Sequence, residues 1–259
     1  MSGNIQQHLV VTLVQHDIVW MQPETNRRKL EQTIAGLPQS DIIALPETFT
    51  TGFGPGMERL SEKPDGTTLD WMRRMAAQSG ALTAGSWIVD DGGRCYNRMH
   101  MVYPDGHYIK YDKAHTFRVS GEADIVAKGH ERTVAEWKGW RLRPAVCYDL
   151  RFPTWLRNEV DTSLTYDLLL VCANWPSSRQ EAWNTLLKAR AIENICYVAG
   201  CNRRGADTGG TSYSGQSAIV DFKGMAISGA DSTPYASATL DMEQLVHFRH
   251  KWPFHLDFD

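Results

Sequence analysis

The sequence predicts an α/β fold whose sheets carry helices on their outer faces, and three observations support it. Apolar, β-branched runs alternate with segments of helical period over the first eighty residues. The same alternation returns from residue 153. Between the two blocks lie strand candidates joined by glycine-containing turns. A chain patterned in this way buries its strands under layers of helix.

Each element follows from its local pattern. "HLVVTLVQ" (8–15) is apolar and β-branched, a buried strand. "ETNRRKLEQTIAGL" (24–37) puts Leu30, Ile34 and Leu37 on one helical face, with Gly36 and Pro38 closing it. "DIIALPE" (41–47) is a second short strand, and "TLDWMRRMAAQSG" (68–80) repeats the helical period before stopping at Gly80. "LTAGSWIVD" (82–90), "RCYNRMHMVYP" (94–104) and "HYIKYDK" (107–113) are strands joined by the turns "DGG" and "PDG". A loop covers about 114–132, and "TVAEWKG" then pairs with "WRLRPAVCY" around Lys138-Gly139. A helix "PTWLRNE" (153–159), a strand "YDLLLVCAN" (166–174), a helix "EAWNTLLKARAIEN" (181–194) and a strand "CYVAGCN" (196–202) complete the second block. "SGQSAIVDFKGMAIS" (214–228) reads as a hairpin turning at 222–224, and "LDMEQLVHFRHKW" as a short helix. No repeat, low-complexity segment or linker divides the chain, so residues 1–259 are expected to form a single domain.

Composition narrows the function classes. The 259 residues are 42% hydrophobic and 22% charged, with a formal net charge of −3. No basic block interleaves with aromatics, which argues against nucleic acid and anionic membrane as partners. The run "LLLVCA" (168–173) is far too short to span a bilayer. "MSGNIQQH" lacks the basic and apolar regions of a secretory signal. The five cysteines (95, 147, 172, 196, 201) are odd in number and form no C-x-x-C pair. That pattern predicts reduced thiols in a cytoplasmic protein. The histidines show no ligand spacing, so a metal is not expected, and no other cofactor is expected either.

Three strand ends carry chemically distinctive residues. "DIIALPE" ends in Glu47, "HYIKYDK" in Lys113 and "RLRPAVCY" near Cys147. Open α/β sheets place chemistry at such carboxyl ends. Singly, each has an ordinary structural explanation: a solvated cap, a wet-face lysine and a buried filler. Together they make a complete set for acyl transfer. A cysteine nucleophile needs a base or a cation beside it, and the tetrahedral oxyanion needs positive charge or N–H donors. Glu47 can serve as base, with Lys113 and the Tyr148 backbone N–H as the oxyanion site. His115 is the alternative partner for Cys147. Arg151, four residues beyond the thiol, suits a substrate carboxylate, with a salt bridge to Asp149 or Glu193 as the alternative. Asn174 and Trp175 end a strand and can line the pocket, with a place in the core as the alternative for Trp175. Arg190 and Glu193, one helical turn apart, are expected to pair with each other.

The blocks "LPETFTTGF" (45–53), "KYDKAHTF" (110–117) and "AVCYDLRFP" (145–153) resemble, in order, the three signature blocks of the nitrilase superfamily of carbon–nitrogen hydrolases. The resemblance implies a Glu47–Lys113–Cys147 triad and an α-β-β-α sandwich, commonly extended by homodimerisation. It further implies a second glutamate after the lysine block, and Glu122 is the matching position. Within the superfamily the chain is most similar to the omega-amidases, through "CYDLRFP" and "ANWPSSRQEAWNTLLKARAIEN" (173–194). Those enzymes deamidate 2-oxoglutaramate and 2-oxosuccinamate, so a small amide is the implied substrate. The tail aromatics Trp252, Phe254 and Phe258 would then pack across a dimer interface or within the subunit. Two other readings remain open at this point. One is a superfamily hydrolase acting on nitriles, N-carbamoyl compounds or aliphatic amides. The other is a non-catalytic binding protein or a thiol sensor on the same fold.

Overall fold

The computed structural model of the chain describes residues 5–159, 164–230 and 233–257. Strand β1 (His8–Val14), helix α1 (Pro23–Ala35), strand β2 (Ile42–Ala44) and helix α2 (Thr67–Ser79) come first. Strands β3 (Leu82–Asp91), β4 (Arg94–Val102) and β5 (Tyr108–Asp112) follow as a meander. A short helix α3 (Glu122–Ile125) interrupts the connection to β6 (Ala135–Trp137) and β7 (Trp140–Val146). The second block holds β8 (Leu168–Ala173), α4 (Gln180–Asn194), β9 (Tyr197–Asn202), the hairpin β10 (Arg204–Ala206) and β11 (Ser212–Ser214), β12 (Ser217–Val220), β13 (Ala226–Ala230), β14 (Tyr235–Asp241) and α5 (Met242–Lys251).

Two six-stranded sheets result, ordered β14-β1-β2-β3-β4-β5 and β13-β12-β9-β8-β7-β6. The period-two pattern explains how they stack. In β8, Leu168, Leu170 and Cys172 face the opposite sheet, where they join Leu9, Val11, Ile42 and Met99. The intervening Leu169, Val171 and Ala173 face Trp183, Leu187 and Ala191 of α4. A strand buried on both faces must be apolar throughout, and "LLLVCA" is. On the first sheet, Ile43 turns outward to meet Leu30 and Ile34 of α1 and Leu69, Met72 and Met75 of α2. The layers are therefore helix, sheet, sheet, helix. Among the described residues, no helix is long and apolar enough to cross a membrane.

Turn chemistry sets the registers. Lys138 and Gly139 both take positive φ, 52° and 83°, the backbone that a two-residue hairpin demands. At the other end of the chain, the Asp241 carboxylate accepts from Gln244 N–H at 3.1 Å and caps α5. Arg249 then pins that helix to the second sheet, donating to Asp167 at 2.6 Å and to the Ile195 carbonyl at 2.9 Å.

The fold departs from the sequence expectation in three places. The helix expected over 153–159 is only a turn at 153–156, preceded by a 3-10 turn at Cys147–Arg151. Asn158 explains this: its N–H goes to the Asn194 side chain at 2.8 Å, and its amide bonds the carbonyls of Tyr166 and Asn194. That backbone N–H cannot also serve a helix. Strand β14 was not anticipated: the alternating inward positions of "YASATLD" are Ala236, Ala238 and Leu240, two of them too small to stand out, yet it pairs with all of β1 from His8↔Asp241 to Val14↔Tyr235. The hairpin β10–β11 likewise falls almost wholly between 202 and 214, where the sequence pattern assigns no element. Phe258 lies outside the described residues.

Candidate active site

The site is assembled by strand direction. Strands β1, β2 and β3 run parallel, as do β7, β8 and β9. Two antiparallel steps through β4 return β5 to the direction of β3. Glu47, Lys113, Cys147 and Asn174 all lie just past the carboxyl ends of β2, β5, β7 and β8. Face-to-face packing of the sheets brings these four ends together. Sharp local turns aim them: Thr48 and Cys147 adopt φ of 41° and 44°. The Thr48 N–H is held by Ser86 Oγ at 3.0 Å.

Lys113 sits at the centre, 1% exposed. Its Nζ donates to Glu47 Oε1 at 2.8 Å and to both oxygens of Glu122, at 3.0 and 2.9 Å. Glu122, the first residue of α3, also accepts the Phe117 N–H at 2.6 Å. Asn97 of β4 bridges the two carboxylates, donating from Nδ2 to Glu47 at 2.8 Å and to Glu122 at 3.3 Å. Its carbonyl takes the Lys113 N–H at 2.9 Å. Asn174 completes the frame from the other sheet. Its backbone N–H donates to Glu47 Oε2 at 2.9 Å, and its side chain holds the Glu47 carbonyl at 2.6 Å. The Cys147 thiol points to the Asn174 carbonyl at 3.9 Å.

Charge balance explains the protonation states. Burial disfavours the Lys113 cation, but Glu122 and Glu47 outweigh it and hold its pKa above the ordinary lysine value. Burial raises Glu122, Lys113 opposes the rise, and the Glu47 charge adds to it. Burial pushes the Cys147 thiol well up, the Glu47 carboxylate beside it pushes the same way, and Lys113 opposes both. Burial and the neighbouring Glu47 thus favour the neutral thiol over the thiolate at Cys147.

Asp149 is fully buried and holds the turn that presents the thiol. One oxygen accepts from the Val146 N–H at 3.0 Å and the Tyr111 hydroxyl at 2.8 Å. The other takes the His115 N–H at 2.9 Å and its Nδ1 at 2.8 Å. The substitution Asp149→Asn turns one acceptor into a donor facing donors. It is expected to cost roughly 1–3 kcal/mol of stability and to reduce turnover at least tenfold, because the thiol moves with its turn. Thermal unfolding and steady-state rates check this; unchanged rates would leave Asp149 a packing residue only.

A cavity of about 480 Å³ opens at this cluster. Cys147, Lys113, Tyr148, Arg151, Asn174 and Trp175 all line it. Tyr148 lies in the first turn of its 3-10 helix, where a backbone N–H has no partner within the helix. Arg151 forms no salt bridge with Asp149 or Glu193; its guanidinium lies 4.8 Å over the Trp175 ring. Glu193 instead pairs with Arg190 at 2.9 Å, as expected. His115 is engaged by Asp149 and stacks on Phe152 at 3.7 Å, and it does not line the cavity. Sequence reasoning missed Asn97, Asp149 as a scaffold, Arg179 and the β10–β11 hairpin, which supplies Tyr213 to the wall. A signal for Asn97 existed: it shares a strand face with Met99 and Met101, where a polar side chain is out of place.

The carbon–nitrogen hydrolase family model matches residues 10–250. Omega-amidase YafV of Yersinia enterocolitica is 43% identical over 253 residues, 97% of either chain. The 2-oxoglutaramate amidase of Bacillus subtilis is 32% identical over 248 residues, 94% of this chain and 95% of its own. A CN-hydrolase superfamily protein from Xanthomonas campestris, whose crystal structure has an arsenic adduct in the active site, is 42% identical with a TM-score of 0.96. That match covers 98% of both chains. Motif order, layer architecture and near-full-length similarity agree: the chain belongs to the carbon–nitrogen hydrolase family.

Proposed function

We propose that the protein is an omega-amidase, hydrolysing the terminal amide of small 2-oxo dicarboxylic acid monoamides such as 2-oxoglutaramate and 2-oxosuccinamate to the acid and ammonia. The observation that carries this is a buried lysine–carboxylate cluster with a thiol, opening into a cavity whose wall holds the Arg151 guanidinium, which pairs with no carboxylate among the described residues. The relatives named omega-amidase and 2-oxoglutaramate amidase support the same substrate class.

In this mechanism the Cys147 sulfur attacks the amide carbonyl as its proton passes to Glu47. Lys113 and the Tyr148 N–H hold the oxyanion. The tetrahedral intermediate collapses as Glu47 protonates the nitrogen, ammonia leaves and a thioester remains on Cys147. Glu47 then takes a proton from water, whose oxygen attacks the thioester, and returns it to the departing sulfur. Glu122 fixes Lys113 between the two carboxylates. Arg151 takes the substrate carboxylate, while Asn174 and Trp175 shape the pocket. A neutral resting thiol suits this cycle better than a redox sensor, which needs a stable thiolate.

On the same reading the chain works as a single domain over residues 1–259, in the cytoplasm and as a homodimer. The exposed Trp252 and Phe254 offer apolar surface to a second copy. The deciding experiment measures ammonia release from 2-oxoglutaramate beside glutamine, an aliphatic nitrile and an N-carbamoyl amino acid. Preference for 2-oxoglutaramate by about a hundredfold or more in kcat/KM is expected, in line with a site built around a polar head group. A better rate on the nitrile or the carbamoyl compound would transfer the assignment to that chemistry.

A further inference from the structure

Two guanidinium groups, not one, stand on the cavity wall without a carboxylate partner. Arg151 lies 4.8 Å over Trp175, and Arg179 lies 5.4 Å over Phe117. Among the described residues no acidic side chain pairs with either. The contrast with Arg98, Arg141, Arg190 and Arg249 is sharp, since each of those is matched to an aspartate or a glutamate. Their supports are tied to the reacting groups. The Phe117 N–H bonds Glu122 at 2.6 Å, Trp175 follows Asn174 directly, and Trp175 Nε1 donates to the Arg179 carbonyl at 2.8 Å. A guanidinium stacked on a ring is held in orientation while its N–H edge stays free for an acceptor.

We infer that Arg179 is a specificity-determining residue, which together with Arg151 clamps the 2-oxo-carboxylate head of the substrate and rejects the corresponding 2-amino acid. This rests on the omega-amidase reading above and deepens it. A 2-oxo acid presents a keto oxygen beside its carboxylate, three acceptors carrying one negative charge, and two planar forks of donors match that set. Replacing the keto group with an ammonium sets donor against donor and adds a cation between two others. The acidic side chain on the cavity wall, Asp207, sets one negative charge against the two guanidinium groups and is tied into its own loop. Its oxygens already accept from Gly209 N–H, Thr211 N–H and the Tyr213 hydroxyl, at 2.9, 2.9 and 3.0 Å.

The test compares kcat/KM for 2-oxoglutaramate, glutaramate (the same chain without the keto group) and glutamine, in wild type, Arg179→Met and Arg179→Lys. In wild type the order is 2-oxoglutaramate, glutaramate, glutamine. Arg179→Met is expected to shrink the 2-oxoglutaramate-to-glutaramate ratio by roughly ten- to a hundredfold, the range for a lost charge-assisted hydrogen bond. The change should fall mainly in KM, the 2-oxoglutaramate-to-glutamine ratio should narrow as well, and Arg179→Lys should lie between. If Arg179→Met leaves these ratios unchanged, whether or not overall rates fall, Arg179 is only a prop for Phe117 and the inference is overturned. A wild-type enzyme indifferent to the keto group overturns both the clamp and the reading beneath it, and that result is visible before any substitution is made.

Discussion

Replacing Cys147 with alanine will lower ammonia release by roughly 10⁴-fold or more, the scale on which enzymes lose rate when an acyl-transfer nucleophile is removed. The fold will survive the change. Cys147 is half-buried at the cavity, and the turn around it is held by Asp149 and by Arg190, which donates to the Leu150 carbonyl at 2.7 Å. Neither contact uses the sulfur. The same residue gives a second, independent readout through its backbone, because φ of 44° is a left-handed conformation that a side chain resists. Such a residue stores about 1 kcal/mol or more, which glycine does not incur. Cys147→Gly should therefore be as inactive as Cys147→Ala yet melt at a higher temperature. Turnover by the alanine variant within tenfold of wild type would remove sulfur from the mechanism altogether.

The parts of this site that could be read from sequence are those set by strand ends and chain order. Glu47 and Cys147 each follow an apolar run directly, and Lys113 ends the strand that begins after the turn "PDG", so chain direction fixes which end each occupies. Strand β8 was readable for the same reason, since a segment buried on both faces carries its own signature in an unbroken apolar run. What stayed hidden depends on partners distant in sequence. Strand β14 turns two alanines and one leucine inward, a faint pattern that shows itself once β1 offers an edge to pair with. Asn97 is out of place on the face of Met99 and Met101, but its role shows only when the sheets close and its amide lies between two carboxylates. Arg151 and Glu193 each had several plausible partners, and packing chose among them: Glu193 went to Arg190, while Arg151 was left over an indole. The expected helix at 153–159 failed because Asn158 found its partners in Asn194 and Tyr166, a competition no local propensity records.

The substitution Lys113→Met will damage both stability and activity, and its pH dependence separates the two. Methionine keeps much of the volume of the lysine stem but leaves Glu47 and Glu122, both essentially unexposed, with no cation between them. Removing one partner from a buried ion pair costs roughly 3–5 kcal/mol, a fall of about ten degrees or more in melting temperature for a chain of this size. One of the paired carboxylates should then hold a proton in the folded state, since like charges at that distance cannot both stay ionised. Its folded pKa lies above its unfolded value, so between the two the native state binds more protons and stability falls as pH rises. Lys113→Met should thus recover much of the lost stability near pH 5 relative to pH 8, a larger recovery than the wild type shows, where Lys113 opposes the rise of Glu122. Activity should not recover with it, because in the proposed mechanism the cation that holds the oxyanion is gone at every pH. Thermal unfolding at the two pH values, paired with ammonia release, checks both statements. A variant equally stable at both pH values would mean that Glu47 and Glu122 do not share the charge Lys113 balances.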